Sequence, residues 1–272
     1  MVDTIATSLS IVIVNYKTRG LLRQLLLSIR KFPPSVPYEV IVVDNHSMDG
    51  SIEMLQSDFP EIETLALKSN LGYSKGTNKG VERAKSSFVL LVNTDIVFDG
   101  KIIDGLVHYF TRHEEVGAVS PRLHNADGTL QHSAFRFYHF MTPLYRRSFL
   151  ANTKKGKAEI NRFLMLDWDH SSTRPVDWLM SSCLLIRKKA FDEIRGFDER
   201  FFVYLSDTDF CRRLWLKNWQ VHYVADLVLV HYHRRESAER FQVSLIHAKD
   251  FAAYFLKWSG KPLPQYKMDR LS

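Results

Sequence analysis

The sequence predicts an α/β protein with a mainly parallel sheet flanked by helices, and three observations predict it. Apolar strand-like runs alternate with amphipathic stretches from residue 9 to residue 112. The spacing leaves room for a helix after each run, the mark of βαβ units and a parallel sheet. Carboxylates and amides sit where the runs end: Asn15 after SLSIVIV, Asp44 and Asn45 after YEVIVV, Asn93 and Asp95 after SSFVLLV. In an open α/β sheet, ligands bind in the crevice outside the carboxyl ends of the strands, so these residues describe one polar pocket.

The elements come in order. A strand at 9–14 leads into a helix at 19–31. Pro33-Pro34 and Pro37 then separate that helix from a strand at 39–43, because proline cannot continue the backbone ladder. A helix at 50–57, a strand at 62–67, a helix at 73–84, a strand at 88–92 and a helix at 101–112 complete the alternation. Residues 121–175 are less regular, with PRLHNADGTL reading as a turn or small hairpin. Order returns with a short strand at 183–187, a helix from 188, a helix at 207–218 and a strand at 221–230. A last helix near 237–258 spaces Phe241, Leu245, Ala248, Ala252 and Phe255 so that one face lies against a core. No repeat or low-complexity tract interrupts residues 1–272, which read as a single domain with a helical tail.

Composition bounds the function. Across 272 residues, 45% are apolar and 25% charged, enough to bury a substantial core. Cys183 and Cys211 lie in apolar surroundings and read as reduced core residues. No run approaches the length of a membrane span, and no basic region precedes an apolar stretch at the N-terminus, so a cytoplasmic protein is expected. The net charge of +7 favours polyanionic partners. Two clusters hold the excess. YRRSFLANTKKGKAEINR, residues 145–162, carries six Lys/Arg against one Glu and lacks periodicity, so it reads as a mobile loop. HYHRRESAER, residues 231–240, is the other.

Several residues could carry chemistry, each with a plainer reading beside it. Asp44 either caps the DNHSMDGS turn or accepts a hydrogen bond from the imide of a pyrimidine base. NLGYSKGTNKG, residues 70–80, offers glycines for close backbone approach, Lys75 for phosphate and the amides of Asn70 and Asn78. It is not a G-x-G-x-x-G placed after the first strand, which argues against a dinucleotide cofactor. Asp95 emerges where a strand leaves the sheet; it acts as a cap there or helps hold Mg²⁺ or Mn²⁺ with substrate phosphates. Asp207 and Asp209 open a helix, where acids are favoured by the dipole. The aromatics Phe201, Phe202 and Tyr204 would partly desolvate a neighbouring carboxylate, as a general base requires. His231, after VLV, is a core histidine, a metal ligand or a phosphate contact.

Taken together, VIVVDNHSMDGS, NLGYSKGTNKG, LLVNTD, VDWLMSSCLLIRKKAFDEIRGFDERFFVYLSDTDFC and VLVH, in that order, resemble the GT-A-fold, family-two inverting glycosyltransferases, most of all their rhamnosyltransferase-like members. The resemblance covers roughly residues 8–258. It implies a nucleotide-sugar-binding half at 8–120 and an acceptor-binding and catalytic half, with the terminal helix, at 121–258. It implies a dTDP- or UDP-sugar donor, with Asn15 and Asp44 at the base and Asn45 and Asn93 also on the donor side. Asn70, Gly72, Lys75 and Asn78 would lie near the ribose and diphosphate. Asn93-Thr94-Asp95 matches the metal-binding D-x-D motif without its first acid, leaving Asp95, aided by His231, to hold Mn²⁺ or Mg²⁺. Asp177 and Trp178 match the acceptor side. The family usually shows Glu-Asp where this chain has Ser206-Asp207, which leaves Asp207 as the base. The implied acceptor is a surface polysaccharide or lipid-linked glycan, with residues 145–162 approaching anionic lipid at the membrane and no nucleic-acid partner. Ser206 also motivates a rival reading, a sugar-nucleotide-binding protein without turnover; a nucleotidyltransferase is the other rival, since it too needs a strand-end Asp and a cation.

Overall fold

The structure, a computed structural model, describes residues 8–232 and 240–265. The first half alternates as the sequence predicts: β1 (Leu9–Asn15), α1 (Arg19–Lys31), β2 (Tyr38–Asp44), α2 (Ser51–Asp58), β3 (Glu63–Ala66), α3 (Gly72–Arg83), β4 (Phe88–Val92) and α4 (Ile102–Arg112). Next come β5 (Val116–His124), β6 (Leu130–Gln131), β7 (Ala134–Phe135), α5 (Thr142–Arg147), a short 3₁₀ turn at Phe149–Asn152 and α6 (Lys154–Phe163). The chain closes with β8 (Arg174–Pro175), β9 (Trp178–Leu179), β10 (Cys183–Arg187), α7 (Lys188–Glu193), α8 (Ser206–Leu216), β11 (Gln220–Val230) and α9 (Arg240–Trp258).

The main sheet runs β3-β2-β1-β4-β10-β5-β11-β8, with β6 paired to β5 in the predicted hairpin. β1 pairs in parallel with both β2 and β4, and Asn15 lies across from Asp44. β10 runs antiparallel to β4, setting Cys183 across from Val92, so residues just before Cys183 reach the same edge as the end of β4. β11 is parallel to β5 and puts Val230 beside His124. The strand ends meet around β1, where the chain order reverses, and a crevice opens there.

At the centre of the sheet β4 is apolar throughout because both of its faces are covered. Along β4, Val89 and Leu91 join one core with Val81, Phe210 and Leu214; Leu90 and Val92 join the other with Leu22, Leu25 and Leu106. Cys183 and Cys211 are free and buried. A Cβ on Gly80 would stand 2.4 Å from Val12 Cγ1, so this glycine lets α3 lie close on β1.

Three expectations are corrected. Residues 145–162 are largely helical: Pro143 starts α5, and Thr153 caps α6 by accepting from Gly156 N at 3.0 Å. Two short helices, each less than three turns, left no periodicity to read. β5, at the heart of the second half, was hidden because its PRLH end reads as turn material. On α9, Leu245, Ala248 and Ala252 are exposed. The helix instead buries Asp250 and Tyr254 against Phe201 and Leu205, because its anchors are polar as well as aromatic. The Phe241 side chain and residues 233–239, including most of the second basic cluster and the expected helix start at 237, lie outside the described residues.

Candidate active site

A cavity of about 850 Å³ opens at the carboxyl edge of β1 and β4 and is lined by Asn93, Asp95, Trp178, Asp207 and His231, among others. Residues from four separate stretches meet there because the parallel register of β1, β4 and β11 and the reversed β10 bring their ends to one edge.

Asp95 and His231 are joined by backbone as well as side chain. A β-bridge links Ile96 to His231, Tyr232 N donates to Asp95 O at 3.0 Å, and His231 Nε2 lies 3.1 Å from Asp95 Oδ1. His231 Nδ1 is 2.7 Å from Gln131 Oε1. With that oxygen accepting, the proton sits on Nδ1 and Nε2 turns a lone pair toward the carboxylate. A divalent cation between the two would meet an imidazole nitrogen and a carboxylate oxygen. Among the described residues there is no cluster of three or more metal-ligating side chains. Two protein ligands plus diphosphate oxygens suit a hard cation such as Mg²⁺ or Mn²⁺, so the residues present fit the implied metal.

Asp207 is half-buried in the first turn of α8, directly after Leu205 (φ 59°) and Ser206, and its Oδ1 accepts from Thr208 N at 2.9 Å. Burial pushes its pKa up to about 6, against a smaller opposing effect from backbone N–H donors. Asp209, two residues on, is fully buried and belongs to the structure. It receives Arg213 Nε at 2.7 Å and Trp258 Nε1 at 2.9 Å, with Lys257 Nζ at 2.6 Å, tying α8 to α9. The helix-dipole reading of Asp209 understates this. Ser206 is buried, donates to Val203 O and does not line the cavity.

The donor-side residues gather at the strand ends but are engaged with one another. Asn15 Nδ2 donates to Asp44 Oδ1 at 2.8 Å and its Oδ1 accepts from Thr18 at 2.7 Å. Asp44 Oδ2 accepts from Ser47 N at 3.0 Å, the turn-capping contact. Asn45 clips the 70–72 turn, accepting from Leu71 N at 2.8 Å and donating to Asn70 Oδ1 at 2.9 Å. Four of the expected site residues are also engaged within the protein itself. Gly72 (φ 82°) passes close to Phe202, where a Cβ would stand 2.5 Å from the Phe202 carbonyl oxygen. Lys75 lies 3.7 Å from Glu199. Asn78 spends both ends of its amide on Phe197, whose N–H it accepts at 2.8 Å and whose carbonyl it meets at 2.9 Å. On the acceptor side, Asp177 holds Arg136 Nη1 at 3.2 Å and Phe137 N at 2.7 Å and is outside the cavity lining. Trp178 does line the cavity, with one face stacked on Phe135 at 4.4 Å between ring centroids.

Sequence reading missed Arg146, Arg147, Tyr138 and His247 in the lining. The signal was the Arg-Arg pair itself, read only as surface charge.

The fold and the family are now identifiable by likeness. Residues 10–195 match the model of glycosyl transferase family 2. The chain is 27% identical over 266 residues to the N-acetylglucosaminyl-diphospho-decaprenol L-rhamnosyltransferase of Mycobacterium tuberculosis, covering 90% of this chain and 82% of that protein. It is 28% identical to the low-salt glycan biosynthesis hexosyltransferase Agl10 of Haloferax volcanii, covering 93% and 76%. Among solved structures, the mannosyltransferase PcManGT of Pyrobaculum calidifontis, in complex with GDP-Man and Mn²⁺, superposes with a TM-score of 0.63 at 14% identity, over 96% of this chain and 67% of that one. GalNAc-T7 with UDP, GalNAc and Mn²⁺ also gives 0.63 at 14%, over 86% and 45%. At such identity these structures establish the GT-A fold.

Proposed function

This chain belongs to glycosyl transferase family 2, and on that premise we propose that it moves a hexose, rhamnose in the first instance, from a dTDP- or UDP-sugar to a lipid-linked glycan with inversion at the anomeric carbon. The observation that carries the reading is the presence of a raised-pKa carboxylate, Asp207, in the same cavity as the Asp95–His231 pair.

The residues divide the task. Asp95 and His231 would hold a divalent cation together with donor diphosphate oxygens. Such a cation, when bound, neutralises charge on the departing nucleoside diphosphate. Asp44, with its remaining lone pairs, would read the imide of the base, and Asn15 and Asn45 would fix the strand ends around it. Asp207, ionised above about pH 6, would take the proton of the acceptor hydroxyl as that oxygen attacks the anomeric carbon. Trp178 supplies apolar wall for the acceptor sugar. The basic surface of 145–162 would attract an anionic bilayer, and no described helix is long and apolar enough to cross one.

Ser206 does not favour the rival reading of a binding protein. Its hydroxyl donates to Val203 O and Ser206 does not line the cavity, whereas Asp207, the acid this chain keeps, does. The test is release of nucleoside diphosphate from dTDP-rhamnose and from UDP- and GDP-sugars, with Mn²⁺, in the presence of glycosyl-diphospho-polyprenols or soluble glycans. Acceptor-dependent release with an inverted product is expected. Pyrophosphate release, or tight donor binding with no turnover, would overturn the proposal.

A further inference from the structure

Beside the reaction cavity lies a second hollow of about 1010 Å³, between α5 and α9. Its wall is mostly apolar, with Phe140, Leu144, Phe251, Phe255, Leu256 and Leu263 lining it and Arg147, Arg212 and Lys261 among its polar members. Several of these are conspicuously wet for apolar residues. Phe140 is 75% exposed and Leu256 78% exposed. A concave apolar surface of this size is a binding feature, since soluble domains rarely leave one uncovered.

Two observations say what covers it. The groove is continuous with the reaction cavity: Tyr138, Pro143, Arg147 and Phe251 line both. The junction is cationic. Arg146 lines the cavity and Arg147 lines both spaces, and each is exposed. Neither guanidinium has a carboxylate partner among the described residues. Arg146 lies 4.7 Å over the Phe163 ring, and Arg147 lies 5.4 Å over Phe251 with Nη2 3.2 Å from His247 Nδ1. A ligand that fits this arrangement has a sugar at one end, a diphosphate in the middle and a hydrocarbon chain at the other. Arginine is the side chain suited to grip phosphate with paired N–H donors.

We propose that the groove between α5 and α9 seats the isoprenoid chain of a polyprenyl-diphosphate acceptor, with Arg146 and Arg147 taking the diphosphate at its junction with the reaction cavity. The inference rests on the lipid-linked acceptor proposed above and adds the place where the lipid lies. The chain enters between Phe140 and Leu256, and the diphosphate crosses the Arg pair. The terminal sugar then reaches Trp178 and Asp207. The first basic cluster thereby acquires two functions: its arginines at 146 and 147 face the substrate, while Lys154, Lys155 and Lys157 on α6 lie outside the cavity lining.

The test uses the full chain and two acceptors with the same sugar and diphosphate, one on a long polyprenyl chain and one on a short water-soluble alkyl chain. Phe140→Asp and Leu256→Asp are the variants, chosen because both side chains are largely exposed and the fold does not depend on them. In each, KM for the long-chain acceptor should rise at least about tenfold. KM for the short-chain acceptor and for the donor, and the melting temperature, should stay within about twofold and about 2 °C of wild type. Equal changes for both acceptors, or none, would overturn the groove assignment. So would loss of binding to plain phosphatidylglycerol vesicles, or of a dimer, with both KM values unchanged; the face would then belong to a bilayer or a second copy. If wild type glycosylates only lipid-free glycans, the acceptor reading itself falls, and the groove assignment with it.

Discussion

Replacing Asp207 by Asn separates a catalytic from a structural carboxylate, because the two readings predict opposite changes in stability. The folded protein holds this carboxyl at a pKa of about 6 against an ordinary 3.8, and burial is the main cause. The fold therefore favours the protonated form, so stability is greatest below about pH 4 and declines as pH rises through 6. At about 1.4 kcal/mol per tenfold, the difference amounts to roughly 3 kcal/mol withheld from the folded state above pH 7, an upper bound because the site is only half-buried. The amide keeps the shape and can still accept from Thr208 N through its oxygen, while carrying no charge to desolvate. Asp207→Asn should therefore melt several degrees higher than wild type at pH 8 and equal to it at pH 4. Turnover should fall by about 10²–10⁴-fold, the usual worth of a positioned base. In wild type, kcat/KM should fall with decreasing pH along a limb centred near 6. Scanning calorimetry at the two pH values and a nucleoside diphosphate release assay give both readouts. A lower melting temperature with retained turnover would refute the reasoning, as would an activity limb centred near 4.

The other expectations concern the metal pair, the α8–α9 hub and the helix–sheet contact. Asp95→Asn should fold normally but lose the Mn²⁺-dependent stabilisation by nucleoside diphosphate, about 2.7 kcal/mol at a hundredfold excess over Kd; an unchanged Mn²⁺-dependent thermal shift would remove Asp95 from the metal site. Asp209→Asn should cost about 3–5 kcal/mol in urea unfolding, because Arg213 loses its carboxylate in a buried site and Lys257 keeps only Asp198; a loss under about 1 kcal/mol would return Asp209 to a mere dipole partner. Gly80→Ala should destabilise by about 1–3 kcal/mol through overpacking on Val12, more than the roughly 1 kcal/mol of helix propensity it gains; a higher melting temperature would show that α3 can move off the sheet.

The first half of the fold was legible because each strand there is a short apolar run and each helix has its own amphipathic face. Residues 113–182 were not, because β6 to β9 are two-residue strands whose existence depends on partners far along the chain. The site divided along the same line. The strand-end rule located Asn93, Asp95 and His231 in the cavity, since topology alone sets where a strand ends. It also grouped Asn15, Asp44 and Asn45 at neighbouring strand ends, outside that cavity's lining, but without showing that their side chains are occupied by one another and by Ser47, Ser51 and Leu71. Glycines and amides in 70–80 suggested a ligand cradle; within the protein, Gly80, Gly72 and Asn78 meet Val12, Phe202 and Phe197. A close approach to protein backbone and one to a ligand require the same residue types, so composition cannot separate them.

The Ser206 position shows the same limit from the side of function. Read locally, the motif has lost an acid next to Asp207, which invites the conclusion that the site is disabled. In the folded chain the segment before Asp207 is held by a carboxylate from elsewhere. Asp250, on α9 and fully buried, accepts from Phe202 N at 3.1 Å, Val203 N at 3.0 Å and Tyr204 N at 2.9 Å. Three charge-assisted bonds to consecutive N–H groups fix the backbone that turns through Leu205 into α8 and so sets where Asp207 stands. α9 is itself locked to α8 by Lys257 and Trp258 on Asp209. The geometry of Asp207 thus depends on a helix far along the chain, Arg240–Trp258, and a motif read along the sequence, however complete, omits the part of the chain that positions it.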